Sequence, residues 1–114
     1  MLGLTGGLAL AAPPARAQNY PNHVVKIVVP YPAGGTADVM PRILADWLSR
    51  KWGQSVIIEN RTGAGGNIGA EVVAKSDPDG YTLLETASVQ VVNPFLYKSV
   101  PFDVVKDFTP ITLI

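Results

Sequence analysis

The sequence predicts an α/β fold on a parallel sheet that is cut off before completion. Three observations carry this expectation. Apolar, β-branched runs alternate with helix-patterned segments, which argues a parallel, right-handed sheet. A glycine or hydroxyl corner follows each of the first three runs, at the carboxyl edge where open α/β sheets bind ligands. The last apolar run, residues 111–114, ends with the chain. A finished domain seldom stops inside a core strand, so the chain is expected to be a fragment.

Residues 24–29, Val-Val-Lys-Ile-Val-Val, form a nearly continuous β-branched run, the pattern of a strand buried on both faces. Pro30 and Pro32 stop it, and Gly34-Gly35 make the turn. Gly35 or Thr36 caps a helix running to about Trp52. Its apolar positions Val39, Met40, Ile43, Leu44, Trp47, Leu48 and Trp52 recur every three to four residues, which predicts one buried stripe with both tryptophans in the core. Arg50, Lys51 and Gly53 supply the C-terminal signals. Pro41 lies past the first turn, so the helix is expected to kink there or to become regular only beyond it.

The second strand is expected at residues 55–59, and a helix from about Asn67 to Lys75 with Ile68, Val72 and Val73 inward. Asp77-Pro78-Asp79-Gly80 has turn chemistry. Residues 81–85 read as the third strand. A short helix follows and ends near Asn93-Pro94; residues 101–110 form an irregular connection, and residues 111–114 start a fourth strand.

The chain has 114 residues, nine basic and nine acidic, and 47% are hydrophobic, which allows one small domain. The charge balance gives no reason to propose nucleic acid or an anionic membrane as partner. With no cysteine, disulfides and thiolate metal sites are excluded; lone His23 is read as a solvated surface residue. Residues 2–12 are a Leu, Gly and Ala run with one Thr, and Ala15-Arg16-Ala17 follows. Residues 1–17 therefore read as a signal peptide cut before Gln18, although no Lys or Arg precedes the apolar run. Residues 18–114 are then the exported α/β unit, ending in a strand.

Thr62-Gly63-Ala64-Gly65-Gly66-Asn67-Ile68-Gly69 is the most informative stretch. Four glycines in eight residues let backbone approach a ligand closely, and the following helix start favours an anion. A second such corner lies at Pro32-Ala33-Gly34-Gly35-Thr36-Ala37-Asp38, and Thr86-Ala87-Ser88 make a third. Asp38 reads either as a first-turn carboxylate favoured by its own helix dipole or as an acceptor for a ligand amino group or water. Asn67 is a helix cap or a ligand contact, and Asn60 has a similar split.

The stretch from Thr62 to Gly69 also matches the T-G-x-x-G-x-x-G signature of extended short-chain dehydrogenases, with Glu85 near where a ribose-binding acid belongs. Three polar residues, Glu59, Asn60 and Arg61, nevertheless separate strand from motif, and a whole βα unit precedes it. For hydrolysis, Ser88 has no histidine companion except distant His23, and no G-x-S-x-G elbow exists.

The two glycine corners, together with Pro78-Asp79-Gly80-Tyr81-Thr82-Leu83 and Asn93-Pro94-x-Leu96-Tyr97, occur in fixed order across residues 20–114. In this they closely resemble the extracytoplasmic receptors of tripartite tricarboxylate transporters, the Bug family. The resemblance implies a two-lobed periplasmic binding protein of type II, with most of one lobe present and the second lobe absent. It implies that Pro32, Ala33, Gly34, Gly35, Thr36 and Asp38, with Gly63, Ala64, Gly65, Gly66 and Asn67, grip a carboxylate through backbone amides and bridging waters. Thr86, Ala87 and Ser88 line the third ligand-side corner. The implied partners are a small carboxylate and membrane transporter subunits, with no cofactor, no metal, no catalysis and a full-length monomer in the periplasm. Two positions depart from the family pattern: Pro41 stands where alanine-like residues are usual, and Glu85 where an apolar one is. An inward Glu85 would repel a carboxylate or take up a proton.

Overall fold

The computed structural model describes residues 19–114 together with Gly3; the signal-peptide reading of residues 1–17 lies outside the described residues. Strand β1 spans Val25–Val29, helix α1 Thr36–Trp52, β2 Val56–Asn60, α2 Asn67–Ala74, β3 Thr82–Leu84 and α3 Val89–Leu96, with a 3-10 turn at Ala64–Gly66 before α2. The three strands form one parallel sheet in the order β2-β1-β3. The chain therefore steps from β1 to one side and then across to the other. That reversal places the switch point of the sheet at β1, with all three strand-to-helix corners on its carboxyl edge.

β1 is central, which is why its sequence is almost wholly apolar: Val25, Ile27, Val28 and Val29 are buried. Burial stabilises by about 1.5–3 kcal/mol per such side chain. Alternation along the strand sends Val25, Ile27 and Val29 to one face, against Ala45, Leu48 and Trp52 of α1. Pro30, two residues from Val28 on the opposite face, closes on Gly66 and Gly69 at the start of α2. The two helices thus cover opposite faces.

The bounds of α1 follow its sequence signals. Gly35 is the N-cap, Gly53 takes the left-handed conformation after the last turn, and its N–H bonds to the Ser49 carbonyl. Ser49 then anchors β2, its hydroxyl accepting the Val56 N–H at 2.8 Å. Pro41 sits fully buried inside one helix that is already assigned from Thr36, so the helix does not wait until beyond Pro41 to become regular. A proline at that depth removes one hydrogen bond, and its compact ring lets α1 lie close to the sheet.

The expected apolar stripe of α1 is corrected. The inward face is Asp38, Pro41, Ala45, Leu48 and Trp52, while Val39, Met40, Ile43 and Trp47 are exposed. Trp47 is half exposed and carries the Lys51 ammonium 4.6 Å from its ring centroid. Trp52 packs against the core as expected, beside Tyr20. Apolar residues occupy two faces of this helix, and the small ones won the sheet because they permit close approach.

In α2 the same correction applies: Ile68 and Val72 are exposed, and Gly69 and Ala70 are buried instead. A methyl group on Gly69 would lie 2.7 Å from both the Arg61 carbonyl oxygen and Pro30 Cβ, so only hydrogen fits. Helix α3 runs past Asn93-Pro94 to Leu96. Residues 111–114 adopt no strand and are exposed. An apolar run becomes a strand only when a neighbouring strand takes its hydrogen bonds, and no described strand does so. His23 is exposed, its ring stacked on Tyr81 at 3.5 Å.

Candidate functional site

At the first corner the loop is held from below by charge. Asp38, 2% exposed, accepts the Gly34 N–H at 2.9 Å and the Arg42 Nε–H at 2.7 Å on Oδ2. Its Oδ1 accepts from Asn60 Nδ2 at 2.8 Å. The Arg42 guanidinium, then Asn60 and the Gly34 amide, hold the Asp38 carboxyl well below the usual carboxylate range. Asn60 also donates to the Tyr31 carbonyl at 3.0 Å and accepts from Arg42 Nη2 at 2.9 Å. Asp38 and Asn60 therefore act inside the protein, fastening the loop to α1 and β2. The rim itself, Pro32, Ala33, Gly34, Gly35 and Thr36, is exposed. Among the described residues the amides of Gly35, Thr36 and Ala37 have no hydrogen-bond partner, as expected for a helix start.

The second corner differs from the expectation. The amides of Gly66 and Ile68 bond back to the Gly63 carbonyl, and that of Asn67 to the Ala64 carbonyl. The turn thus consumes the helix-start donors that were expected to face a ligand. What it leaves unpaired, among the described residues, are the amides of Gly63, Ala64 and Gly65. This tight turn needs left-handed backbone at Gly65 (φ 64°) and Gly66 (φ 95°), and Ala64 is drawn into the same region at φ 49°. Asn67 is neither cap nor exposed contact. Gly66 is the cap, and the Asn67 side chain is buried, accepting from Asn93 Nδ2 at 2.8 Å and Gln90 Nε2 at 3.4 Å.

At the third corner, Tyr31 Oη lies 3.3 Å from Thr86 Oγ1 and accepts the Ala87 N–H at 3.2 Å. This ties the strand that feeds the first corner to the third. Ala87 and Ser88 are exposed, and Thr86 is half-buried. Glu85, next to this corner, does face inward: its Oε2 is buried and has no hydrogen-bond partner among the described residues. Burial, and after it the charge of Asp38, pushes the Glu85 carboxyl above its ordinary value.

The candidate residues thus converge on one edge, with Asp38, Asn60 and Asn67 beneath the surface and the loop backbones at it. Sequence reading missed Tyr31, Arg42, Gln90 and Asn93 as the groups that hold the corners. The Asp38/Arg42 spacing of four and two amides three apart in an apolar helix were the available signals. Two concavities lie away from the corners, one between α1 and β2, the other along Met40, Ile43, Leu44 and Trp47 with Ile114. The corners form an open rim rather than an enclosed pocket. No cluster of three or more His, Cys, Asp or Glu with metal-binding geometry occurs among the described residues. β2 continues to Asn60 and the Arg61 N–H bonds to the Val29 carbonyl. Glu59, Asn60 and Arg61, expected to separate strand from motif, thus extend the strand to the edge of the motif, and what still differs from a dinucleotide turn is the whole βα unit that precedes it.

Residues 40–114 match the family model described as tripartite tricarboxylate transporter family receptor. Over its whole length the chain is 40% identical to Protein BugT of Bordetella pertussis, of which it covers 36%. Among solved structures it is 47% identical to an R. palustris protein with adipate, with a TM-score of 0.57, covering 58% of this chain and 22% of that one. It is 40% identical to MatC from Rhodopseudomonas palustris with bound malate, with a TM-score of 0.55 and coverage of 57% and 22%. The chain spans about a third of the length of the curated relatives it matches. Receptors of this family are periplasmic binding proteins. With the ordered motifs, the parallel sheet and the three corners on one edge, the chain belongs to the tripartite tricarboxylate transporter receptor family, with relatives of the Bug type.

Proposed function

We propose that this chain carries the carboxylate-gripping edge of a periplasmic receptor that delivers a small carboxylate to a tripartite transporter and catalyses no reaction. The observation that carries this reading is the set of unpaired amides at Gly35, Thr36, Ala37, Ala64 and Gly65 on one edge of the sheet. Several loop amides and the start of α1 spread an anionic charge without a buried arginine. The relatives with adipate and malate support a carboxylate, and in particular a dicarboxylate, as the ligand. An open rim leaves the ligand in competition with water, so tight capture calls for a second surface closing over it. In this reading that surface is a second lobe of the monomeric receptor, export follows the signal peptide of residues 1–17, and the transporter's membrane subunits receive the closed form.

The test is a thermal-shift screen of the full-length gene product with adipate, malate, citrate and NAD. A carboxylate that binds only the folded protein raises stability by about 2.7 kcal/mol at a hundred times its Kd. A midpoint rise with a carboxylate and none with NAD is the expected result. A rise with NAD alone overturns the reading and makes the turn after Thr62 a dinucleotide loop.

A further inference from the structure

We propose that Gln90 and Asn93 are positioning residues for anion capture, and that the amide face of α3 holds the glycine corner and the third corner in one fixed relation. This rests on the carboxylate-receptor reading above. Helix α3 is built inside out. Its apolar members Val91, Val92, Phe95 and Leu96 are exposed, whereas Gln90 and Asn93 are 3% and 1% exposed. Burying amides costs free energy unless each polar atom is met. Here Asn93 Nδ2 and both polar atoms of the Gln90 amide are met by the backbone and side chains of the candidate site.

Asn93 Nδ2 donates to the Gly65 carbonyl at 2.9 Å and to Asn67 Oδ1 at 2.8 Å. Gln90 Nε2 donates to the same Asn67 oxygen at 3.4 Å, and Gln90 Oε1 accepts from Thr86 Oγ1 at 3.3 Å. Because the Thr86 proton points to Gln90, the Tyr31 hydroxyl donates to Thr86 and its oxygen accepts the Ala87 N–H. The links run in one direction, from the Ala87 amide through Tyr31, Thr86 and Gln90 to Asn67. Asn93 then joins Asn67 to the Gly65 carbonyl. Its two bonds are short, and the outer links near 3.3–3.4 Å are weaker.

The consequence for an anion follows from peptide geometry. In a planar trans peptide the N–H points opposite to the C=O. The carbonyls of Gly63 and Ala64 turn toward the start of α2, so the amides of Ala64 and Gly65 turn away from it. Asn93 pins the next carbonyl, that of Gly65, and so holds the whole turn in the orientation that presents those two amides. Neither Gln90 nor Asn93 reaches the rim, which makes them positioning residues rather than contacts.

The test uses the full-length gene product with Asn93→Leu, Gln90→Leu and Thr86→Val. Amide signals of Ala64 and Gly65 are recorded by NMR without ligand, and malate and adipate affinities are measured by calorimetry. All three variants are expected to shift both amide signals, although Thr86 touches neither residue. Affinity is expected to fall about tenfold for Asn93→Leu and less for the other two. The losses from Thr86→Val and Asn93→Leu are expected to be non-additive. Unmoved Ala64 and Gly65 signals in Gln90→Leu and Thr86→Val overturn the proposal. So does a lower unfolding midpoint with unchanged affinity, which is the signature of a merely structural role. If Asn93→Leu does not fold, the two variants at the weaker links decide by their amide signals. A wild type that binds neither acid sinks the receptor reading alone, because the ligand-free signals test the relay separately.

Discussion

The first glycine corner is fastened by a buried carboxylate, an arginine and an asparagine; the second is fastened by three neutral amides. At the first, Asp38 gathers Gly34, Arg42 and Asn60 under an exposed loop whose only left-handed residue is Gly34. At the second, Asn67, Gln90 and Asn93 lie under a turn with four consecutive positive-φ residues, Gly63 to Gly66. One is held by charge on an ordinary backbone, the other by an unusual backbone without charge. The first corner should therefore answer to pH, and the second to substitutions that change shape.

The largest expected effect breaks the second corner. Gly69→Ala puts a methyl against backbone on one side and Pro30 on the other, a clash worth about 1–3 kcal/mol of destabilisation by denaturant unfolding. An equally stable Gly69→Ala would mean that α2 has room the packing does not show. Acid tests the first corner. Since the folded Asp38 carboxyl lies below its ordinary value of 3.8, its stabilisation is complete above that value and is lost as pH falls through the lowered one. On acid titration the Gly34 amide signal should move with the protonation of Asp38 while that of Gly65 stays. Joint movement would dissolve the contrast between the corners.

A smaller effect sharpens the backbone half of the comparison. Ala64 pays a left-handed strain that glycine does not, and Ala64→Gly should raise stability by about 1 kcal/mol or less after the entropy of the unfolded chain is counted. A loss of stability would show that the Ala64 methyl group outweighs the strain. The smallest effect concerns Glu85, beside the third corner. Its folded carboxyl lies above the ordinary 4.5, so stability is full below that value and declines as pH rises through the raised one. Glu85→Gln should therefore raise the unfolding midpoint modestly at neutral pH and not at all in acid. An unchanged midpoint at neutral pH would mean that solvent screens the buried oxygen.

Local chemistry made much of this legible. β1 announced itself because a central parallel strand must be apolar on both faces, and α1 because Gly35 and Gly53 bracket it. The corners were legible because glycine clusters after strands have few other uses. The inward faces of α1 and α2 were not. Each helix is apolar on more than one side, and periodicity alone cannot say which side meets the sheet; Ala45 and Gly69 won by being small.

Composition and motif order by themselves determined the class, the first three strands and the three helices, the family and the location of the corners, because these depend on neighbours within a few residues; the expected strand at residues 111–114 did not form. Tertiary structure alone decided that Asn93 meets Gly65 across 28 positions, that Asn60 meets Asp38 across 22, and that Glu85 Oε2 is buried with no partner among the described residues. Those pairings exist because the order β2-β1-β3 brings distant loops to one edge, where a buried polar group is satisfied only by what the fold sets beside it.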